Sequence, residues 1–76
     1  MLYFVWYDDS SKKLTADKLQ EAIVAYIERF KIPPTLVLVN AADIVERAGI
    51  VVRCERTVQP NTFWLGYDGV VTLPSA

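Results

Sequence analysis

The chain has 76 residues, nine acidic and eight basic side chains, a net charge of −1 and no histidine. With 53% hydrophobic and 22% charged residues it has the composition of one small folded domain, which excludes a disordered chain. The balanced charge supplies no cationic field for nucleic acid or an anionic membrane. The missing histidine excludes histidine-based triads, general bases and metal ligands.

A domain of this size buries only about 60–65% of its unfolded surface, so its core needs a supplement. Cys54 is the single cysteine, so an intramolecular disulfide is impossible and a structural zinc site cannot form. Gly49, Gly66 and Gly69 are too scattered for a P-loop or a dinucleotide fingerprint, and no cofactor is implied. The opening apolar run has no basic leader, and no apolar run reaches the roughly 20 residues of a membrane span. The expectation is a cytoplasmic protein, away from membranes, whose supplement is self-association as a homodimer.

Residues 2–7, Leu-Tyr-Phe-Val-Trp-Tyr, predict a first strand that stops at Asp8-Asp9-Ser10-Ser11. Both of its faces are apolar, as in an interior strand. Thr15–Phe30 follows as the one segment whose sequence fixes its own structure. Thr15 reads as its N-cap, Leu14 and Leu19 as a hydrophobic staple, and Asp17 as a first-turn charge suited to the dipole. At 100° per residue Leu19, Ala22, Ile23, Tyr26, Ile27 and Phe30 form one apolar stripe. Asp17, Glu21, Ala25 and Glu28 lie opposite, so the outer face, with Glu21, Glu28 and Arg29, reads as solvated rather than docking. Lys12-Lys13 and Lys18 read as a solvated loop and helix start. Pro33-Pro34 stops the helix.

Residues 35–39 predict a second strand, apolar on both faces, and the strand–helix–strand unit predicts parallel strands with a right-handed crossover. Asn40 then caps a short predicted helix over residues 41–48. Asp43 stands as its capping-box partner, Val39 and Ile44 as a staple, and Gly49 as its C′ residue. Residues 50–58 predict a third, half-polar strand in which Ile50, Val52 and Cys54 alternate with Val51, Arg53 and Glu55. Residues 62–67 predict a fourth. Asp68-Gly69 is a hairpin dipeptide leading to a short fifth strand over 70–73, with 74–76 as a fraying tail. The class is α/β, a small mixed sheet in β-α-β-(short α)-β-β order with one long helix packed on it. Strand order one-two-three puts both helices on one face, and two-one-three puts them on opposite faces. Either order leaves apolar sheet surface uncovered, which reads as a partner surface.

Three groups of residues are candidates for chemistry. Asp8 and Asp9 follow the first strand and Asn40 follows the second, on the edge where open α/β sheets place ligands. Two carboxylates with an amide oxygen suit Mg²⁺ and would make this a Mg²⁺-dependent phosphate-handling or nuclease-like protein, against the plainer reading of turn residues and a helix cap. Arg53, Arg56, Trp64 and Tyr67 mix charge and stacking surface suited to single-stranded nucleic acid, if strands three and four pair. The acidic balance and the interleaved Glu55 weigh against it. Cys54 reads as a small buried hydrophobe rather than a nucleophile.

The opening Met-Leu-Tyr-Phe-Val-Trp-Tyr-Asp resembles the start of small CRISPR-associated nucleases, in which a hydrophobic first strand ends in a metal-binding aspartate. The resemblance covers about the first tenth of the chain. That family is similar to a βαββαβ ferredoxin, whereas here the second helix falls between strands two and three. The family's function is not carried over. The favoured reading is a small non-enzymatic module that associates with itself or a protein partner through Tyr3, Phe63, Trp64 and Tyr67, aromatic anchors of the kind that dominate interfaces.

Overall fold

The computed structural model describes residues 3–68. They form an α/β domain of one long helix on a four-stranded mixed sheet. Strand β1 is Phe4–Tyr7, helix α1 Thr15–Phe30, β2 Leu36–Val39, β3 Val51–Cys54 and β4 Thr62–Gly66. A single 3₁₀ turn, Ala41–Asp43, follows β2.

The helix occupies the span its periodicity predicts, with a different start and a narrower buried stripe. Leu14, not Thr15, is the N-cap. It is extended, it makes no side-chain cap, and its carbonyl accepts the N–H groups of Asp17 and Lys18. Leu14 is exposed, so it makes no staple with the buried Leu19. Leu19, Ala22, Ile23 and Tyr26 are buried, whereas Ile27 and Phe30 are partly exposed. Lys18 joins the buried face at 6% exposure. The helix ends at Lys31, whose φ of 64° is left-handed and whose N–H closes on the Ile27 carbonyl at 2.7 Å.

The strand order is β1-β4-β2-β3, which replaces both orders read from the sequence. β1 and β2 run parallel but are not neighbours, because β4 lies between them and is antiparallel to each. The result is a split β-α-β unit. β3 extends the sheet in parallel beyond β2, so β3 and β4 do not pair. Phe63 and Leu65 point from β4 to the helix side, and Thr62, Trp64 and Gly66 to the other side. β4 and β2, apolar on both faces, take the middle and the half-polar β3 takes an edge, but β1, expected in the interior because it too is apolar on both faces, forms the other edge.

The main core lies between sheet and helix. Val37, Val39, Phe63 and Leu65 meet Leu19, Ala22, Ile23 and Tyr26, with Phe4, Trp6, Val45, Ile50 and Val52 at its margin. Burying one such aliphatic or aromatic side chain contributes about 1.5–3 kcal/mol. Phe4 is the centre of an aromatic group, stacked on Trp6 at 6.2 Å and edge-on to Tyr26 and Phe30 at 5.9 Å each.

Two further elements are shorter than predicted. The helix over 41–48 is one 3₁₀ turn, and Ile44 is already extended. A two-turn helix cannot hold itself, and Asp43 spends its carboxylate elsewhere instead of closing a capping box. Ile44 is exposed and makes no staple with the buried Val39. Gly49 takes φ +84° in the turn entering β3. β3 ends at Cys54, and the chain then turns so that Val58 covers Leu36 and Leu38 on the sheet face away from the helix. That face is therefore partly covered. Cys54 is exposed on an edge strand, not buried. The hairpin at Asp68-Gly69 and the fifth strand over 70–73 fall outside the described residues. Both edges of β4 are occupied, by β1 and β2.

Candidate functional site

Two surfaces collect the candidate residues. The first is the edge at the carboxyl ends of β1, β2 and β3. There Asn61 opens β4 with φ +66°, a left-handed conformation that asparagine tolerates better than most residues. Its backbone N–H donates to Asp43 Oδ2 at 2.7 Å, and its carbonyl accepts the Asp8 N–H at 2.9 Å. Its side-chain Oδ1 accepts from Lys18 Nζ at 3.1 Å. Lys18 and Asp43, each 6% exposed, thus meet through one asparagine.

Asp8 lies on this edge after β1. Its Oδ1 accepts the Ser10 N–H at 3.0 Å and its Oδ2 accepts Lys13 Nζ at 3.1 Å. The Ser10 N–H first, and the Lys13 ammonium second, hold the Asp8 carboxyl below its usual range. Lys13 also donates to Glu21 at 2.8 Å, and the two carboxylates push its ammonium above its usual range, Glu21 most. The charge of Asp9 raises the neighbouring Tyr7 phenol. Asn40, after β2, accepts the Ala42 N–H on Oδ1 at 2.9 Å and donates Nδ2 to the Val58 carbonyl at 3.0 Å.

Asp8 and Asn40 therefore share the predicted edge, separated by the start of β4. Each uses its side chain to tie a loop. A cation here would have to displace the Ser10 and Lys13 donors from Asp8. Among the described residues no group of three or more Asp, Glu or Cys side chains is arranged to hold a metal ion. Lys18, Asp43 and Asn61, which build this edge, were not among the sequence candidates. One signal points to Lys18: it stands four residues before Ala22, beside the apolar stripe.

The second surface is the sheet face away from the helix. Register places Val5 opposite Trp64, Trp64 opposite Leu38, and Leu38 opposite Arg53, so these four form one row. Tyr3 and Trp64 rings meet at 5.7 Å over the Leu36–Leu38–Val58 cluster. Around this centre Val5 is 53%, Tyr7 63% and Val51 59% exposed. Tyr67 is exposed beyond the end of β4, and Arg56 is exposed in the turn after β3. Of the four expected contact aromatics, Tyr3 and Trp64 share this face. Phe63 points the other way, fully buried under the helix, and has no surface to offer. No protein-family model, curated protein or solved structure matches the chain, so its function is read from its own geometry.

Proposed function

We propose that the protein is a non-enzymatic association module, a homo-oligomer or accessory subunit, that docks a protein surface on the outer face of its sheet. The observation that supports this reading is the ring of exposed Val5, Tyr7 and Val51 around the half-buried Tyr3–Trp64 pair. Apolar and aromatic side chains grouped on a rigid sheet are the usual material of an interface centre. Light scattering over micromolar concentrations, on wild type and Val51→Asp, tests it. Association weakened by Val51→Asp is expected, and a wild-type chain that stays monomeric throughout counts against it.

A second reading uses the same row. Arg53 and Trp64 both face Leu38's side of the sheet, about 10 Å apart at two strand spacings, a distance suited to a stacked base and its phosphate. Arg56 supplies a further cation nearby in sequence. This predicts salt-sensitive binding of mixed single-stranded oligonucleotides that Arg53→Ala weakens; no binding at low salt ends it.

A further inference from the structure

The outer edge of β1 carries a second set of unused groups. Asp8 stands opposite Asn61 in the β1–β4 register, and its N–H bonds the Asn61 carbonyl. Hydrogen-bonded positions alternate along an antiparallel pair. Phe4 and Trp6 therefore direct their backbone groups at β4, and Val5 and Tyr7 direct theirs outward. Among the described residues nothing pairs on that side. An open edge of this kind is a template for another strand.

Above this edge Trp6 stands on the helix side of the sheet. It lines an open groove of about 310 Å³ with Glu21, Val24, Ala25 and Glu28 of α1. Its indole Nε1 is buried without an acceptor. On the same flank Glu21, Ala25 and Arg29 follow one another at four-residue steps, a single ridge with base at one end, a methyl at the centre and, at the other, an acid that one Lys13 contact leaves open to a second cation. Such a ridge is complementary to itself when reversed.

The geometry points to a second copy of this chain as the occupant, joined edge to edge through β1 about a two-fold axis at Trp6. Antiparallel pairing about Trp6 sets Val5 of each copy opposite Tyr7 of the other. Their outward N–H and C=O groups then satisfy one another. Asp8 and Asp9 fall opposite Phe4 and Tyr3, so no like charges meet across the strands. The two Trp6 side chains meet on the helix side and fill the two grooves. Trp6 shares its groove with Ala25, and an axis that passes level with Ala25 brings Glu21 of each helix towards Arg29 of the other. An isologous interface requires this self-matching, and here backbone, apolar filling and charge all share one axis. The two outer faces become one continuous eight-stranded surface.

The inference rests on the association reading. Val5 and Tyr7 offer side chains to the outer face and backbone groups to the edge, so the charge reversals and Val51→Asp, which each touch one surface only, make the two fail separately. The experiment is sedimentation and light scattering of the full chain with Arg29→Glu, Glu21→Arg, the double swap, and Val5→Pro. Proline is tolerated on an edge whose N–H faces outward, and it removes one pairing donor. Wild type is expected to dimerise, each single charge reversal to weaken the dimer about tenfold, and the double swap to restore it. Circular dichroism checks each fold; should Val5→Pro unfold, the charge series decides alone. A dimer unmoved by Arg29→Glu, or not restored by the double swap, overturns the β1 edge. If that same dimer is lost in Val51→Asp, the outer-face reading survives alone. A monomer at all concentrations overturns both.

Discussion

The Lys18 ammonium reaches the side-chain oxygen of Asn61 at 3.1 Å, across 43 positions of sequence. That bond joins the first turn of α1 to the first residue before β4, and Asp43 holds the same asparagine from the other side. The carboxyl edge of the sheet is closed by this trio rather than by any one loop.

Asn61→Ala removes the acceptor from a buried ammonium and places a Cβ-bearing residue without local hydrogen bonding at φ +66°. We expect a loss of about 2–4 kcal/mol in urea unfolding. Lys18→Met removes the charge itself and leaves the half-buried Asn61 oxygen to water, so its loss stays below about 1 kcal/mol. The double variant recovers part of the Asn61→Ala loss. Additive losses would show that the two side chains are not coupled.

Asp8 supplies an acid-sensitive increment. Its carboxyl is held below the ordinary 3.8 in the folded chain, by Ser10 and then Lys13. The stabilisation is present above the unfolded value and is lost as pH falls through the folded one. Thermal melts stepped downward from pH 5 should show wild type losing stability below about pH 4 more steeply than Asp8→Asn. Parallel curves for the two proteins would contradict the assignment.

Phe63→Ala should cost about 3–5 kcal/mol and leave a chain that barely folds, since the ring is fully buried between β4 and α1. Tyr67→Ala, at an exposed position, should stay within about 0.5 kcal/mol. Denaturant midpoints separate the two, and equal effects would place Phe63 outside the core.

Cys54 should react completely with a thiol reagent in native buffer, at the rate of an unfolded control, because it is exposed on the edge strand β3. Reaction only in denaturant would mean a buried thiol.

The helix was legible because its period and the Pro33-Pro34 stop are local properties of the sequence. Its buried lysine was not, because Lys18 is held by Asn61, which only the fold brings near. Strand existence was legible in runs such as Leu36–Val39, and strand order was not. Adjacency of β1 and β2 is a local rule of crossovers, and it yields when a later strand fits between them. Composition carried only part of the clue: β3, with Arg53, takes an edge, but β1, as apolar on both faces as β4, takes the other, so composition alone does not sort centre from edge. Of the outer face, Tyr3 and Trp64 could be named, and alternation already groups Val5 and Tyr7 with Tyr3 and Val51 with Arg53, but that these groups lie on one side of one sheet follows only from strand order and register. Asp8 and Asn40 were placed on the right edge, while their partners Ser10, Lys13 and Val58 became visible only in three dimensions.

The insertion of β4 also dictates a schedule. A chain emerging from the ribosome delivers β1, α1, β2 and β3 first, and apart from the β2–β3 pair these have no strand to pair with until Thr62–Gly66 arrives. Before that moment β1 has no partner at all, and α1 has lost Phe63 and Leu65 from the surface it covers. The domain therefore forms late and in one step, and a chain interrupted before residue 62 presents two apolar strands to whatever is near.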